Sequence, residues 1–196
     1  MEEPLIIGLS GKIGSGKNTA ATIISEVYPH FVELAFAENV KKVVAILTGT
    51  TLEENMDREK RKRRIPAFNA TLGELQQTIG NGMRALLGPN VWISAVMSNL
   101  SKYKIITDVR FPDEVKAIEA AGGIVIRIER DEEHINLHDL KGEFKNDMRP
   151  RDDISETALD DYDFRLSVLN NGDLEQFKHA IIVVIEAALG DLLCKI

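Results

Sequence analysis

Nine residues restrict this chain more than any others: Gly11-Lys12-Ile13-Gly14-Ser15-Gly16-Lys17-Asn18-Thr19. A short apolar run, residues 4–9 (PLIIGL), precedes them and a segment of helical periodicity, residues 20–27, follows, so the order reads strand, glycine-rich loop, helix. The glycines let the backbone curl until successive N–H groups face inward. The start of the helix adds a positive dipole end, and Lys17 has the reach to meet the β- and γ-phosphates of a nucleotide. The pattern is that of a phosphate-binding loop, and a tight turn that binds nothing is the poorer reading between such flanks.

The remaining pattern alternates strands and helices. Residues 31–35 suggest a second strand, followed by a helix over about 38–47. The span 51–98 is almost wholly helical in pattern, interrupted at Ile65-Pro66, with Thr71 and Glu74 forming a capping box. Residues 103–109 (YKIITDV) and 123–128 (GIVIRI) are strands flanking a helix over about 113–121, which Gly122-Gly123 closes. Residues 164–169 make the last strand, and 173–193 a long closing helix with Val183, Val184, Ala187 and Leu193 expected on its packed face. Near-continuous apolar strands of this kind belong to a parallel sheet covered on both faces, an α/β doubly wound architecture with ligands at the carboxyl ends of the strands. We expect a single domain over 1–196, with a helical substrate lobe at about 37–100 and a polar lid at about 131–153.

Composition excludes several classes. The 196 residues carry 24 Lys plus Arg against 31 Asp plus Glu, a formal net charge of -7, which argues against general coating of nucleic acid. No apolar run nears the roughly 18 residues that span a bilayer, and the acidic N-terminus lacks a signal-peptide pattern, so no membrane partner and a cytoplasmic location are expected. The single cysteine, Cys194, forms no internal disulfide, and no Cys/His spacing makes a zinc site. His134 and His138 are four apart, as zinc ligands can be, yet lack a third ligand and read as surface residues. Residues 58–64 hold six basic side chains in seven. A solvated helix face explains them best, a substrate phosphate contact next, a nucleic-acid patch least.

Two further positions bear on chemistry. Asn18 stands where a Ser or Thr hydroxyl usually ligates Mg²⁺, and the hydroxyl comes one residue later, at Thr19. Adenylate kinase and other nucleoside monophosphate kinases carry this G-K-x-T spacing. The guanine-reading elements N-K-x-D and T-K-x-D do not occur, which disfavours a GTPase. Asp108 ends the run Ile105-Ile106-Thr107 and would emerge near the loop as a second holder of Mg²⁺, with helix capping as the alternative. Arg110 shares that edge and could neutralise charge on a transferring phosphoryl group, or form a surface ion pair.

The blocks IITDVRFPDEVKAIEAAGGIVIRIER and LGELQQTIGNGMRALLGPNVWI, with the loop, Leu34 to Ala37, Ser155-Glu156-Thr157 and Asn170-Asn171-Gly172, resemble the deoxynucleoside monophosphate kinases of large bacteriophages and related viral and bacterial sequences. That resemblance implies a P-loop kinase fold and transfer of the ATP γ-phosphate to a dNMP with Mg²⁺. It places ATP on Gly11, Lys12, Gly14, Ser15, Gly16, Lys17, Asn18 and Thr19, with Asn170, Asn171 and Gly172 near the adenine. The acceptor would meet Phe36, Lys41, Gln77, Arg84 as phosphate anchor, Trp92 and Asp108. Without the resemblance, Phe36 and Trp92 are core residues by default. Lys17, Asp108, Arg110 and Arg130 would serve catalysis, Asp108 and Thr19 the metal, and Arg149, Arg151, Ser155 and Glu156 the lid. A homodimer is usual for this family. The family's H-P-S-E reads Asp153-Ile154-Ser155-Glu156 here, its N-D-G reads N-N-G, and a common G-T reads Gly80-Asn81. Phosphomevalonate- or dephospho-coenzyme-A-type kinases, and an ATP-binding nucleic-acid module, are the rival readings.

Overall fold

The computed structural model describes residues 5–131 and 154–193. Most of the expected lid, with His134, His138, Arg149, Arg151 and Asp153, lies outside the described residues, as does Cys194. The chain has two compact units, one of residues 1–34 with 100–196 and one of residues 35–99.

In the first unit the apolar run after the N-terminus is strand β1 (Leu5–Ser10), in the middle of five parallel strands. Their order is β2 (Val32–Leu34), β5 (Tyr103–Val109), β1, β6 (Ile124–Glu129), β7 (Leu166–Leu169). Helix α1 (Lys17–Val27) carries the chain from β1 toward one side of the sheet, and α7 (Pro112–Ala120) carries it across from β5 to β6 on the other. The carboxyl end of β1 is therefore where the connections diverge, the crevice in which open α/β sheets bind ligands.

Alternation along the strands sends residues to two covered faces. Ile7, Leu9, Ile105, Ile124, Ile126 and Ile128 pack against Ala20, Ala21 and Ile24 of α1 and against Phe177, Ile181, Ile185 and Ala188 of the closing helix α9 (Leu174–Leu193). The face of α9 differs from the sequence expectation, since Val183 is 48% exposed and Ala187 is also exposed. Apolar residues run round much of this helix between 180 and 189, so periodicity alone does not choose the buried stripe. On the opposite face α7 lies close to the sheet. A Cβ on Gly8 would stand 2.8 Å from Ile118 Cδ1, and one on Gly123 2.7 Å from the Ile6 carbonyl oxygen, so both positions must lack a side chain.

The β1–β5 ladder contains one irregularity. Gly8 pairs with Ile106 and Ser10 with Val109, so Thr107 and Asp108 together oppose Leu9. This bulge turns Asp108 out of the regular alternation just before the strand ends. The strand runs one residue beyond Asp108, to the buried Val109.

The second unit contains α2 (Phe36–Thr48), α3 (Leu52–Met56), α4 (Arg58–Arg61), α5 (Leu72–Leu87) and α6 (Val91–Met97). Where Ile65-Pro66 breaks the helical pattern, two short antiparallel strands, β3 (Arg64–Ile65) and β4 (Ala70–Thr71), form a hairpin around a 3₁₀ turn at Pro66–Phe68. Asn69 takes φ +50°, a conformation its short polar side chain tolerates. Val44, Ile65 and Leu72 form the core, with Leu75 and Ile79 packed on it. Both α3 and α5 begin with reciprocal caps, Thr51 with Glu54 and Thr71 with Glu74.

These packing differences predict separable stability losses. Ile126→Ala in the fully buried sheet should cost about 2–5 kcal/mol in denaturant unfolding. Thr71→Ala, which removes one cap, should cost about 1 kcal/mol.

Candidate active site

The loop between β1 and α1 is built from backbone that side chains hold from a distance. Gly14 and Gly16 lie at φ +79° and +103°, in the left-handed region that favours glycine. A Cβ on Gly11 would run into the Ile128 carbonyl oxygen, and one on Gly16 into the Asn170 amide. The loop thus packs directly on the ends of β6 and β7. Lys17 is 9% exposed, and its Nζ donates to the carbonyls of Gly11 at 2.6 Å and Lys12 at 2.9 Å, curling over the loop. The first N–H groups of α1 have no partner inside the helix, because no turn precedes them. Ser15 Oγ is buried and bonds nothing among the described residues, whereas Asn18 and Thr19 are exposed on the first turn.

Long-range partners fix both sides of the loop. Asn170 Nδ2 donates to the Ser15 carbonyl at 2.9 Å. On the other side, the Ile13 N–H donates to Glu156 Oε2 at 2.7 Å, from the short helix α8 (Ile154–Thr157). Glu156 Oε1 pairs with Arg110 Nη1, which also donates to the Ser155 carbonyl at 3.3 Å. Arg110 and Glu156, read from sequence as a charge neutraliser and a lid residue, are therefore ion-paired partners at the loop.

Glu114, which sequence reasoning passed over, shapes the turn that carries Arg110. Its Oε2 accepts from the N–H groups of Arg110 at 2.7 Å and Phe111 at 3.0 Å. Burial pushes the Glu114 carboxyl up to about 7, and the charge of Asp108 adds to this against the lowering effect of the two amides. The signal was present: a Glu three residues past the end of the strand-exit turn is a helix-start signature.

At the turn after β7, Asn171 and Asp131 bond reciprocally, the Asp131 N–H to Asn171 Oδ1 at 2.9 Å and Asn171 Nδ2 to Asp131 Oδ2 at 2.6 Å. An Asp at 171 would set two carboxylates against each other. Gly172 leads to a cap in which Asp173 and Gln176 exchange bonds. Arg130 is half-buried just past β6. Three residues earlier, Arg127 is buried on β6 and joins Ser10 Oγ, Asp160 and the Phe164 ring. Asp160 also pairs with Lys12 of the loop at 2.8 Å.

Within the second unit, Phe36 and Trp92 are buried, and Trp92 Nε1 donates to the Gly80 carbonyl at 3.1 Å. Gln77 and Arg84 are exposed and lie two turns apart on one face of α5, while Lys41 is half-buried on α2. Arg84 Nη1 bonds Asn81 Oδ1 at 3.3 Å, which gives Asn81 a local role. Gln76, the neighbour of Gln77, is buried and donates to the backbone and side chain of Asn55. Much of the basic run is engaged locally: Lys62 with Glu59, Arg63 with Glu54, and Arg64 with Asn69.

The first unit has a P-loop kinase fold. Shikimate kinase from Acinetobacter baumannii, solved with shikimate, superposes with a TM-score of 0.52 at 12% identity over 96% of this chain and 94% of that one. A Thermus thermophilus protein gives 0.52 at 15% identity, with 94% and 98% covered. In sequence the chain is 26% identical, over 94% of its length and 97% of the relative's, to the Acanthamoeba polyphaga mimivirus protein named "Putative deoxynucleotide monophosphate kinase". No protein-family model matches the chain. Among the described residues no helix is long and apolar enough to cross a membrane, and no group of three His, Cys, Asp or Glu could hold a metal.

Glu114 supplies a pH test. Its folded pKa of about 7 lies above the usual 4.5, so the folded state binds more protons between these values. The stability that Glu114 contributes is fullest below about 4.5 and is lost as pH rises through about 7. Glu114→Gln keeps an acceptor for the two amides and removes the ionisation. Its unfolding free energy relative to wild type should rise by up to ~3 kcal/mol between pH 4.5 and 7.5, measured by urea denaturation.

Proposed function

We propose that this chain is a P-loop kinase that transfers the γ-phosphate of ATP to a deoxynucleoside monophosphate, giving dNDP and ADP. The near full-length similarity to the mimivirus protein carries the choice of acceptor, and the P-loop at the central strand supports ATP as donor. Phosphoryl transfer asks for in-line alignment and neutralised equatorial oxygens more than for a covalent partner.

In this reading the α1 N-terminus and loop amides cradle the phosphates, and Lys17 leaves the Gly11 and Lys12 carbonyls for the β- and γ-oxygens. Arg110 and Arg130, with the lid residues Arg149 and Arg151, add positive charge. Arg84 holds the acceptor phosphate, Gln77 and Lys41 flank it, and Phe36 and Trp92 wall the base. Asn170 braces the loop beneath the ATP, while Asn171 and Gly172 form the turn at its adenine.

The donor set fits Mg²⁺ brought in on the nucleotide. That ion keeps several waters and needs one or two protein oxygens, here the Asp108 carboxylate set by the bulge and the Thr19 hydroxyl. When bound, Mg²⁺ would offset the negative charge of the phosphates. A homodimer completes the proposal, and the local pairing of the basic run favours the enzyme over a nucleic-acid module.

The decisive experiment is a panel of dNMPs, NMPs, shikimate, phosphomevalonate and dephospho-coenzyme A with MgATP, reading ADP release. One or more dNMPs should give the highest kcat/KM, and Lys17→Met should lower that turnover by two or more orders of magnitude with the fold intact, a loss of about 3 kcal/mol or more. Highest turnover of a non-nucleotide acceptor would overturn the assignment.

Arg84→Ala should raise the KM for dNMP and lower kcat/KM, while calorimetric ATP affinity stays level, because the guanidinium fork matches a phosphate dianion. Loss of ATP affinity with dNMP affinity retained would reverse the role of the second unit.

A further inference from the structure

A carboxylate beside a loop built for polyphosphate is a costly choice, since it repels the anion and must be desolvated. Glu156 is such a group, 5% exposed and in direct contact with the loop. Its two oxygens are divided between two tasks. Oε2 takes the Ile13 N–H at 2.7 Å, at the outer bend of the loop, and Oε1 takes Arg110 Nη1. The Ser155 carbonyl meets the same Nη1 at 3.3 Å, so both partners lie on one nitrogen of the guanidinium. Among the described residues nothing bonds Arg110 Nε or Nη2. The backbone of Arg110 is held separately by Glu114 at 2.7 Å. Arg110 is thus gripped at its main chain and at one corner of its fork.

We propose that Glu156 is a positioning residue for phosphoryl transfer, coupling the shape of the P-loop at Ile13 to the orientation of the Arg110 guanidinium. The proposal rests on the kinase reading above. Glu156 reaches the reacting phosphates only through Arg110 and the loop. Gln at this position keeps an acceptor for the Ile13 amide and loses the charge that orients Arg110. The shorter Asp keeps the charge and cannot span both partners.

The test compares wild type, Glu156→Gln, Glu156→Asp, Arg110→Ala and the Glu156→Gln/Arg110→Ala double variant, each first confirmed folded by circular dichroism. Wild-type turnover of the dNMP panel reports on the kinase reading by itself. With an active wild type, Glu156→Gln should lower kcat by about 10²-fold, the scale of a misplaced catalytic group, with the dNMP KM little changed. The double variant should be no slower than Arg110→Ala. Added guanidine hydrochloride at low millimolar concentration should partly restore kcat in Arg110→Ala and fail to do so in the double variant, where the carboxylate charge that orients the rescuing ion is gone. Additive losses, equal rescue in both, or wild-type kcat in Glu156→Gln would each overturn the proposal. If Glu156→Gln does not fold, Glu156→Asp takes its place in the same cycle. If wild type turns over no acceptor, the kinase reading fails, and the coupling is read instead from ADP affinity by calorimetry across the four-protein cycle. Non-additive affinity losses then support the link between Glu156 and Arg110, and additive ones overturn it.

Discussion

A phosphate loop has to leave its amides pointing at a ligand, and it therefore has few hydrogen bonds of its own with which to hold its shape. Everything around it supplies what it lacks. Asn170 takes the Ser15 carbonyl, Glu156 takes the Ile13 amide, and Lys17 folds back on the Gly11 and Lys12 carbonyls. Two of these three partners come from beyond residue 150, from segments that flank β7. The loop is in effect a backbone held by residues on either side of β7, which itself pairs with β6, the neighbour of β1.

The same need sets the packing tolerances. For the loop to sit on the strand ends, Gly11 and Gly16 must accept a backbone carbonyl and an amide where a Cβ would go. On the other face α7 must come near enough that Gly8 and Gly123 can carry no side chain. Neither pair is a matter of turn chemistry alone. Each is a close approach between elements, and no volume is spare there because interiors pack at crystal-like density.

Charge is distributed by a related logic. The cations around the loop would repel one another, and the fold answers with carboxylates: Glu156 against Arg110, and Asp160 between Arg127 and Lys12. Glu114 has a different part, holding amides with a carboxyl that burial makes reluctant to ionise. In the second unit the basic run is drawn into neighbouring acids and an amide turn, so its high charge density in sequence dissolves into local pairs.

The strand–loop–helix at the N-terminus, the parallel sheet and the helix caps at Thr71 were legible because they depend on short-range features: apolar period, glycine at curled backbone, and a hydroxyl three residues before a Glu. The hairpin at Ile65-Pro66 was seen only as an interruption, since two-residue strands leave no period to read. The buried stripe of α9 was misplaced, because apolar residues surround that helix and only the partner surface picks a side. Lys17 could be marked from the glycine-rich loop and Asp108 from its place near a strand end. The pairing of Glu156 with both Arg110 and Ile13 could not, for those residues stand 46 and 143 positions away in the chain. Sequence by itself determined which backbone could curl and where strands and helices alternate. Which distant carboxylate or amide completes the loop was decided by tertiary structure, because hydrogen-bond partners follow from the order of strands in the sheet and not from distance along the chain.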